Sequence, residues 1–166
     1  MCFCRRAVFI ATLAVLSGCQ SGAEAPTYQE DLAPVSGIVT IDGEPAASVD
    51  ILFTPVDDKR SVAGQRRASG QTGADGRYTL YSLPGGQVAD MEQFSGVIPG
   101  DYKVTFSKFT MPDGTVWDSQ SSDKGPMAVG AVESIPLKYT NPLTSEFRVS
   151  IPESGGSEFD FELESE

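Results

Sequence analysis

Apolar side chains recur at every second position in a series of short runs between residues 35 and 164, and this alternation restricts those runs to half-buried β-strands. Successive side chains on a strand point to opposite faces, so a period of two gives each strand one apolar and one wet face. Val35, Gly37, Val39 and Ile41 share a face, and Asp42-Gly43 then supplies a turn. Val49, Ile51 and Phe53 alternate with Asp50, Leu52 and Thr54 as far as Pro55. Asp75-Gly76 is a hairpin-type turn that leads into Tyr78 and Leu80. Tyr102, Val104 and Phe106 form a fourth set, Phe147, Val149 and Ile151 a further one, and Phe159, Phe161 and Leu163 the last. Ile135, Leu137 and Tyr139 read as one more strand, placed at an edge because Pro136 lacks an N–H for a ladder. No segment sustains a 3.6-residue period, and residues 87–94 allow one helical turn at most. The pattern predicts an all-β, seven-stranded antiparallel β-sandwich. Its inward face is expected to hold Val39, Ile51, Phe53, Leu80, Tyr102, Val104, Phe106, Val149, Phe159 and Phe161.

The N-terminal segment obeys different chemistry. Arg5 and Arg6 precede an apolar run over residues 7–16, followed by the small pair Ser17-Gly18 and then Cys19. The run is shorter than the roughly 20 residues needed to span a bilayer. Leu16-Ser17-Gly18-Cys19 resembles the lipobox of bacterial lipoprotein signal peptides. That resemblance implies cleavage before Cys19 and acylation of its thiol, and it makes Cys19 the lipidation site. Residues 1–18 are then the signal peptide, residues 19–33 a flexible stalk of Gly, Ser, Pro and acids, and residues 34–166 the β-sandwich domain. Gln20, directly after the lipidated residue, resembles lipoproteins sorted to the outer membrane, facing the periplasm or the surface. Cys2 and Cys4 leave with the leader, so no intrachain disulfide is expected and stability falls to the apolar core.

The 23 acidic and 12 basic residues give a net charge of −11, and loss of Arg5 and Arg6 makes the processed chain more negative still. Such a surface repels nucleic acid and anionic headgroups. The sequence contains no histidine, which removes the usual general base and the commonest metal ligand.

Two segments are longer than a sandwich requires. Residues 57–74 carry Arg60, Arg66 and Arg67, suited to an anionic ligand or to balancing nearby acids. Residues 110–132 carry Trp117 among Asp113, Asp118 and Asp123. An exposed indole there would stack on a sugar, whereas one folded back would cover the sandwich edge. Asp113, Asp118 and Asp123, or Asp57 and Asp58, are calcium-type oxygen ligands, although their spacing lacks the regular D-x-D-x-D-G pattern.

Gly73-Ala74-Asp75-Gly76-Arg77-Tyr78-Thr79-Leu80, followed by Ile98-Pro99-Gly100-Asp101-Tyr102-Lys103-Val104, resembles the carboxypeptidase regulatory-like (prealbumin- or transthyretin-like) domains. Val35-Ser36-Gly37-Ile38-Val39 with Asp42-Gly43-Glu44-Pro45 is similar to their first hairpin. Ile135-Pro136-Leu137-Lys138-Tyr139, Asn141-Pro142, Thr144-Ser145 and Phe159-Asp160-Phe161 resemble planctomycete-type surface lipoproteins that carry this domain. The resemblance implies an Ig-like or prealbumin-like sandwich, a place at the envelope and a Tyr102 ring buried as in a tyrosine corner. It implies no activity. Transthyretin-like hydrolases of a purine-breakdown intermediate depend on histidine and a Tyr-Arg-Gly-Ser ending, and this chain ends Phe161-Glu162-Leu163-Glu164-Ser165-Glu166.

The reading is therefore a non-catalytic, envelope-anchored lipoprotein. It has no cofactor and no metal, is held to a membrane by its N-terminal lipid, and meets a protein or glycan partner. One alternative is a glycan- or calcium-binding surface module that uses residues 110–132. Another is a hydrolase built on carboxylates alone, which needs acids held close in a cleft. Asp160, Glu162 and Glu164 instead alternate onto a wet strand face.

Overall fold

A computed structural model of the chain describes residues 32–56, 67–82, 91–117 and 123–165. Cys19, Asp57, Asp58, Arg60, Arg66 and Asp118 lie outside the described residues. Strand β1, Ser36–Ile41, ends at Asp42-Gly43, where φ is 52° and 83°. Two successive positive φ angles give the tight turn whose twist matches antiparallel strands, and β2, Glu44–Pro45, folds back on β1. Strand β3, Asp50–Pro55, pairs antiparallel with β4, Ala68–Gln71, and with β6, Gly100–Ser107. Strand β5, Arg77–Thr79, leaves a turn at Gly76 and pairs with the first half of β1. Strands β7, Phe109–Thr110, and β8, Val132–Glu133, make a separate two-stranded ribbon. Strand β9, Arg148–Ile151, pairs with β6, and β10, Phe161–Leu163, pairs with β1.

The result is mostly β: one four-stranded sheet in the order β4-β3-β6-β9, and a second in which β1 is flanked by β10, β2 and β5. The pattern of alternation correctly predicts two packed sheets. The elements are more numerous and shorter than the seven strands expected. The β1–β10 pair is parallel, with Val39 opposite Phe161, in a fold expected to be wholly antiparallel. Between the sheets, Phe161 is the centre of an aromatic cluster, 5.1 Å from Phe106, 5.3 Å from Phe147 and 6.2 Å from Phe53. Ile51, Phe53, Leu80, Val104 and Phe106 are fully buried with it, at about 1.5–3 kcal/mol for each large side chain removed from water. Val149 and Phe159, expected inside, are half-buried against this core.

The segment at 135–139 is not a strand. Ile135 is buried, Pro136 accepts a hydrogen bond from the Tyr139 N–H, and a helical turn, α1, runs Leu137–Thr140. Proline has no N–H to lose at a helix start, so the residue that argued for an edge strand suits this turn. Ile135 and Tyr139 are four apart, a spacing that a helical turn also brings to one side, which leaves Leu137 80% exposed.

One lateral edge of the sandwich is sewn shut. The Ser69 N–H donates to the Tyr81 carbonyl at 3.0 Å, and the Tyr81 N–H returns a bond to Ser69 at 2.9 Å. The backbones meet so closely that a Cβ on Gly70 would lie 2.3 Å from the Thr79 carbonyl oxygen. The opposite edge, between β9 and β10, is filled by side chains. Tyr139 packs 5.6 Å from Phe147, and its hydroxyl accepts from the Glu164 N–H.

Strand directions define two poles. β6 runs antiparallel to β3, β3 to β4, β4 to the Tyr81 segment, and β5 to β1, so β1, β4 and β6 run the same way. The chain enters at Ala33, bridged to Val97, beside the starts of these strands. The β7–β8 ribbon follows the end of β6 and so stands at the other pole, together with the Asp42-Gly43 and 73–76 turns.

Candidate functional site

The ribbon at the far pole carries the predicted Trp117 site. Thr110 pairs with Val132 on one side and Val116 on the other. The turn between Thr110 and Val116 closes by bonds from the Met111 N–H to Thr115 (2.7 Å) and from the Gly114 N–H to Met111 (2.9 Å). Asp113 belongs to that turn. Its Oδ1 accepts from the Thr115 hydroxyl at 2.7 Å and from the Thr115 N–H at 2.9 Å. These bonds hold its carboxyl below the ordinary carboxylate range. The Trp117 main-chain N–H donates to the Phe109 carbonyl, and the indole stands edge-on to the Phe109 ring at 6.3 Å. The indole is half-buried on the ribbon, outside the main core, and its Nε1 is shielded from solvent with no hydrogen-bond partner among the described residues. Asp123 is exposed. Among the described residues no group of three acids is arranged to hold a metal ion. The structure thus brings Trp117 onto Phe109 and gives Asp113 to a turn.

Other carboxylates are also occupied locally. Glu133 accepts from the Lys108 N–H (2.8 Å), the Ile135 N–H (3.0 Å) and the Ser107 hydroxyl, which ties β6 to β8. Asp160 accepts from the Ile38 N–H at 2.8 Å, alongside Tyr78, whose hydroxyl donates to the Phe159 carbonyl. Burial first, and the Asp160 charge second, push the Tyr78 phenol well above its ordinary range. Arg67 is exposed at the start of β4.

Two hollows that the sequence did not indicate adjoin the sewn edge. The first, about 500 Å³, lies over the outer side of the β4-β3-β6 sheet, with Leu52 and Thr105 at its floor. Thr105 alternates outward from buried Val104 and Phe106, yet is only 5% exposed, and Thr140 of α1 lines the same hollow. The second, about 480 Å³, lies over β1 and β5, between Ser36, Arg77 and Thr79. Gln71 and Tyr81 line both. A third hollow, about 440 Å³, opens on the β9–β10 side over Tyr139 and Phe147, with Glu146, Glu162, Glu164 and Lys138 around it. Its Lys138 is already paired with Glu164 at 3.3 Å and lies over the Tyr139 ring. The signal for the first two was weak: Ala68-Ser69-Gly70-Gln71 has no apolar alternation, so β4 was not recognisable as a strand.

No protein-family model, no curated protein and no solved structure matches this chain.

Proposed function

We propose that this chain is a non-catalytic binding or structural module of the bacterial envelope, held to a membrane by lipid on Cys19. Its sandwich is read as a prealbumin-like domain of the carboxypeptidase regulatory-like type, on the motifs around Asp75-Gly76 and Pro99-Gly100. The single observation that supports the reading best is polar. The chain enters the sandwich at Ala33, and the β7–β8 ribbon stands at the other pole. A tether at the first pole leaves the second pole and the lateral faces turned toward a partner. The leader Arg5-Arg6, the apolar run and Leu16-Ser17-Gly18-Cys19 supply the anchor chemistry, and Gln20 favours the outer membrane. The non-catalytic reading rests on chemistry: the chain has no histidine, and Asp113, Glu133 and Asp160 are spent on backbone and hydroxyl donors. The glycan or calcium reading of residues 110–132 is less favoured because Asp113 and the Trp117 indole are used within the ribbon itself.

Membrane fractionation of cells that express the full chain and Cys19→Ser tests the anchor. The wild-type chain is expected in the membrane fraction until detergent is added, and Cys19→Ser in the soluble fraction. A Cys19→Ser chain that stays membrane-bound without detergent sinks the reading.

A further inference from the structure

The two hollows along the sewn edge meet at Gln71 and Tyr81, which line both, and are treated together as a trough that reaches from the outer face of one sheet to the outer face of the other. We infer that this trough is a binding site for a neutral saccharide chain, with Tyr81 as the ring on which a sugar stacks and Gln71 and Asp50 as its hydrogen-bonding pair.

Three observations identify the ligand's chemistry. The first is charge. Among the described residues, Asp50 is the one charged residue lining the first hollow and Arg77 the one lining the second, so the described lining carries no net charge to select an ion. The second is preorganisation. The Gln71 amide donates to Asp50 Oδ1 at 2.9 Å across the β4–β3 pair, where the two residues sit directly opposite. A carboxylate and an amide fixed side by side present acceptors and a donor to vicinal hydroxyls. Ser69 and Thr79 add hydroxyls on either side, while Leu52 gives an apolar floor. In the first hollow, a few polar groups on a largely apolar concave surface are the usual makeup of a ligand site, and the second adds a more polar lining. An aromatic wall beside them suits a molecule with one apolar C–H face and a hydroxylated rim.

The third observation weighs against the other extended polymer. A peptide strand binds a sheet by completing an exposed edge with main-chain bonds. Here the β4 edge is taken at Ser69, by both Ser69–Tyr81 bonds, and one side of β5 is paired with β1. A chain lying in this trough therefore meets mainly side chains and, among the described residues, at most a short stretch of edge, which favours hydroxyl-rich sugars over a peptide backbone.

The inference deepens the reading of the domain as a binding module and is independent of the anchor. A soluble Cys19→Ser chain would still bind, and a chain that binds no sugar would still fractionate with membranes. The test is native affinity electrophoresis of the detergent-solubilised full chain. The gels contain a soluble β-glucan, a xylan or a galactomannan, with polygalacturonate as the charged polymer. At least one neutral polysaccharide is expected to retard the chain. Tyr81→Ala should weaken that retardation by at least about tenfold, a loss of about 1.4 kcal/mol, and Gln71→Ala should weaken it as well. Tyr81→Phe, which keeps the ring, should retain it, and Leu143→Ala, on an exposed residue outside the trough, should leave it unchanged. If Tyr81→Ala loses its cooperative melt, the exposed Gln71 decides alone. The inference is overturned by no retardation by any neutral polysaccharide, by retardation by polygalacturonate only, by retardation indifferent to a folded Tyr81→Ala or to Gln71→Ala, or by retardation abolished by Trp117→Phe instead. Capture by an array of extended peptides, with the neutral gels silent, overturns it in favour of the alternative polymer.

Discussion

Tyr102 is held at both ends. Its ring lies 5.9 Å from Phe53 in the core, and its hydroxyl donates to the Ile98 carbonyl at 2.6 Å, across the turn that starts β6. Tyr102→Phe keeps the ring and strands a buried carbonyl, so it should cost about 1–3 kcal/mol, read as a lower urea midpoint. Thr72 makes the same kind of tie between segments far apart in sequence. Its hydroxyl donates to Ala46 at 2.6 Å and accepts from the Val49 N–H at 2.8 Å, all of it buried. Thr72→Val preserves shape and orphans both backbone groups; its cost should match or exceed that of Tyr102→Phe in the same titration. Tyr78 adds a pH dependence. Its folded-state phenol titrates above its unfolded value of about 10. Its contribution is therefore complete below about pH 10 and is lost as pH rises from there toward the folded value. Urea midpoints between pH 8 and 11 should fall more steeply for the wild-type chain than for Tyr78→Phe. Parallel slopes would mean that the phenol is not protected by burial. The tyrosine corner was legible in the sequence because Tyr102 sits in a strongly alternating strand just after Pro99-Gly100. The Thr72 tie was not, since nothing local distinguishes a threonine that will be buried from one that will face water.

At the level of elements, legibility followed the length of the alternation. Strands β1, β3 and β6 each carry large apolar residues at alternate positions, and the alternation places their inward faces correctly. β4 has only Ala68 pointing inward, and its place is decided by Gly70, which lets Thr79 approach. The 135–139 segment failed for a different reason. Five residues with apolar positions at both ends and the middle satisfy a strand and a helical turn alike, and tertiary contacts chose the turn. The two readings predict different mutants. A strand would bury Leu137 beside Ile135, whereas the turn exposes Leu137 and buries Tyr139 against Phe147. Leu137→Ser should therefore change stability by no more than about 0.5 kcal/mol, as surface substitutions do. Tyr139→Ala should cost several times as much, on the scale of about 3–5 kcal/mol for deleting a buried aromatic. Equal losses in thermal melts would restore the strand.

For the molecule as a whole, the outline was legible and the pairing was not. Alternation says which residues face inward, but a register between β1 and β10, separated by most of the chain, depends on Phe161 reaching the Phe53 and Phe106 rings. For the same reason the trough between β4 and Tyr81 had no sequence signature, because each half is ordinary until the two sheets are sewn together. The pole-to-pole arrangement is likewise a property of summed strand directions, and it gives a test that no single contact provides. Trp117 is the chain's one tryptophan and lies on the ribbon that follows β6. Pro34 lies just before β1, beside the start of β6, whose 8 residues span roughly 26 Å at about 3.3 Å each. Ala74 lies in the turn before β5, at the ribbon's pole. In a chain whose 3 cysteines are replaced by serine, a single cysteine at 34 or at 74 can carry a dansyl acceptor for Trp117 emission. Both positions are exposed, so neither label should disturb the core. Energy transfer should be clearly stronger from Trp117 to position 74 than to position 34. Equal transfer, or the reverse order, would place the ribbon beside the tether and remove the polar argument on which the envelope reading stands.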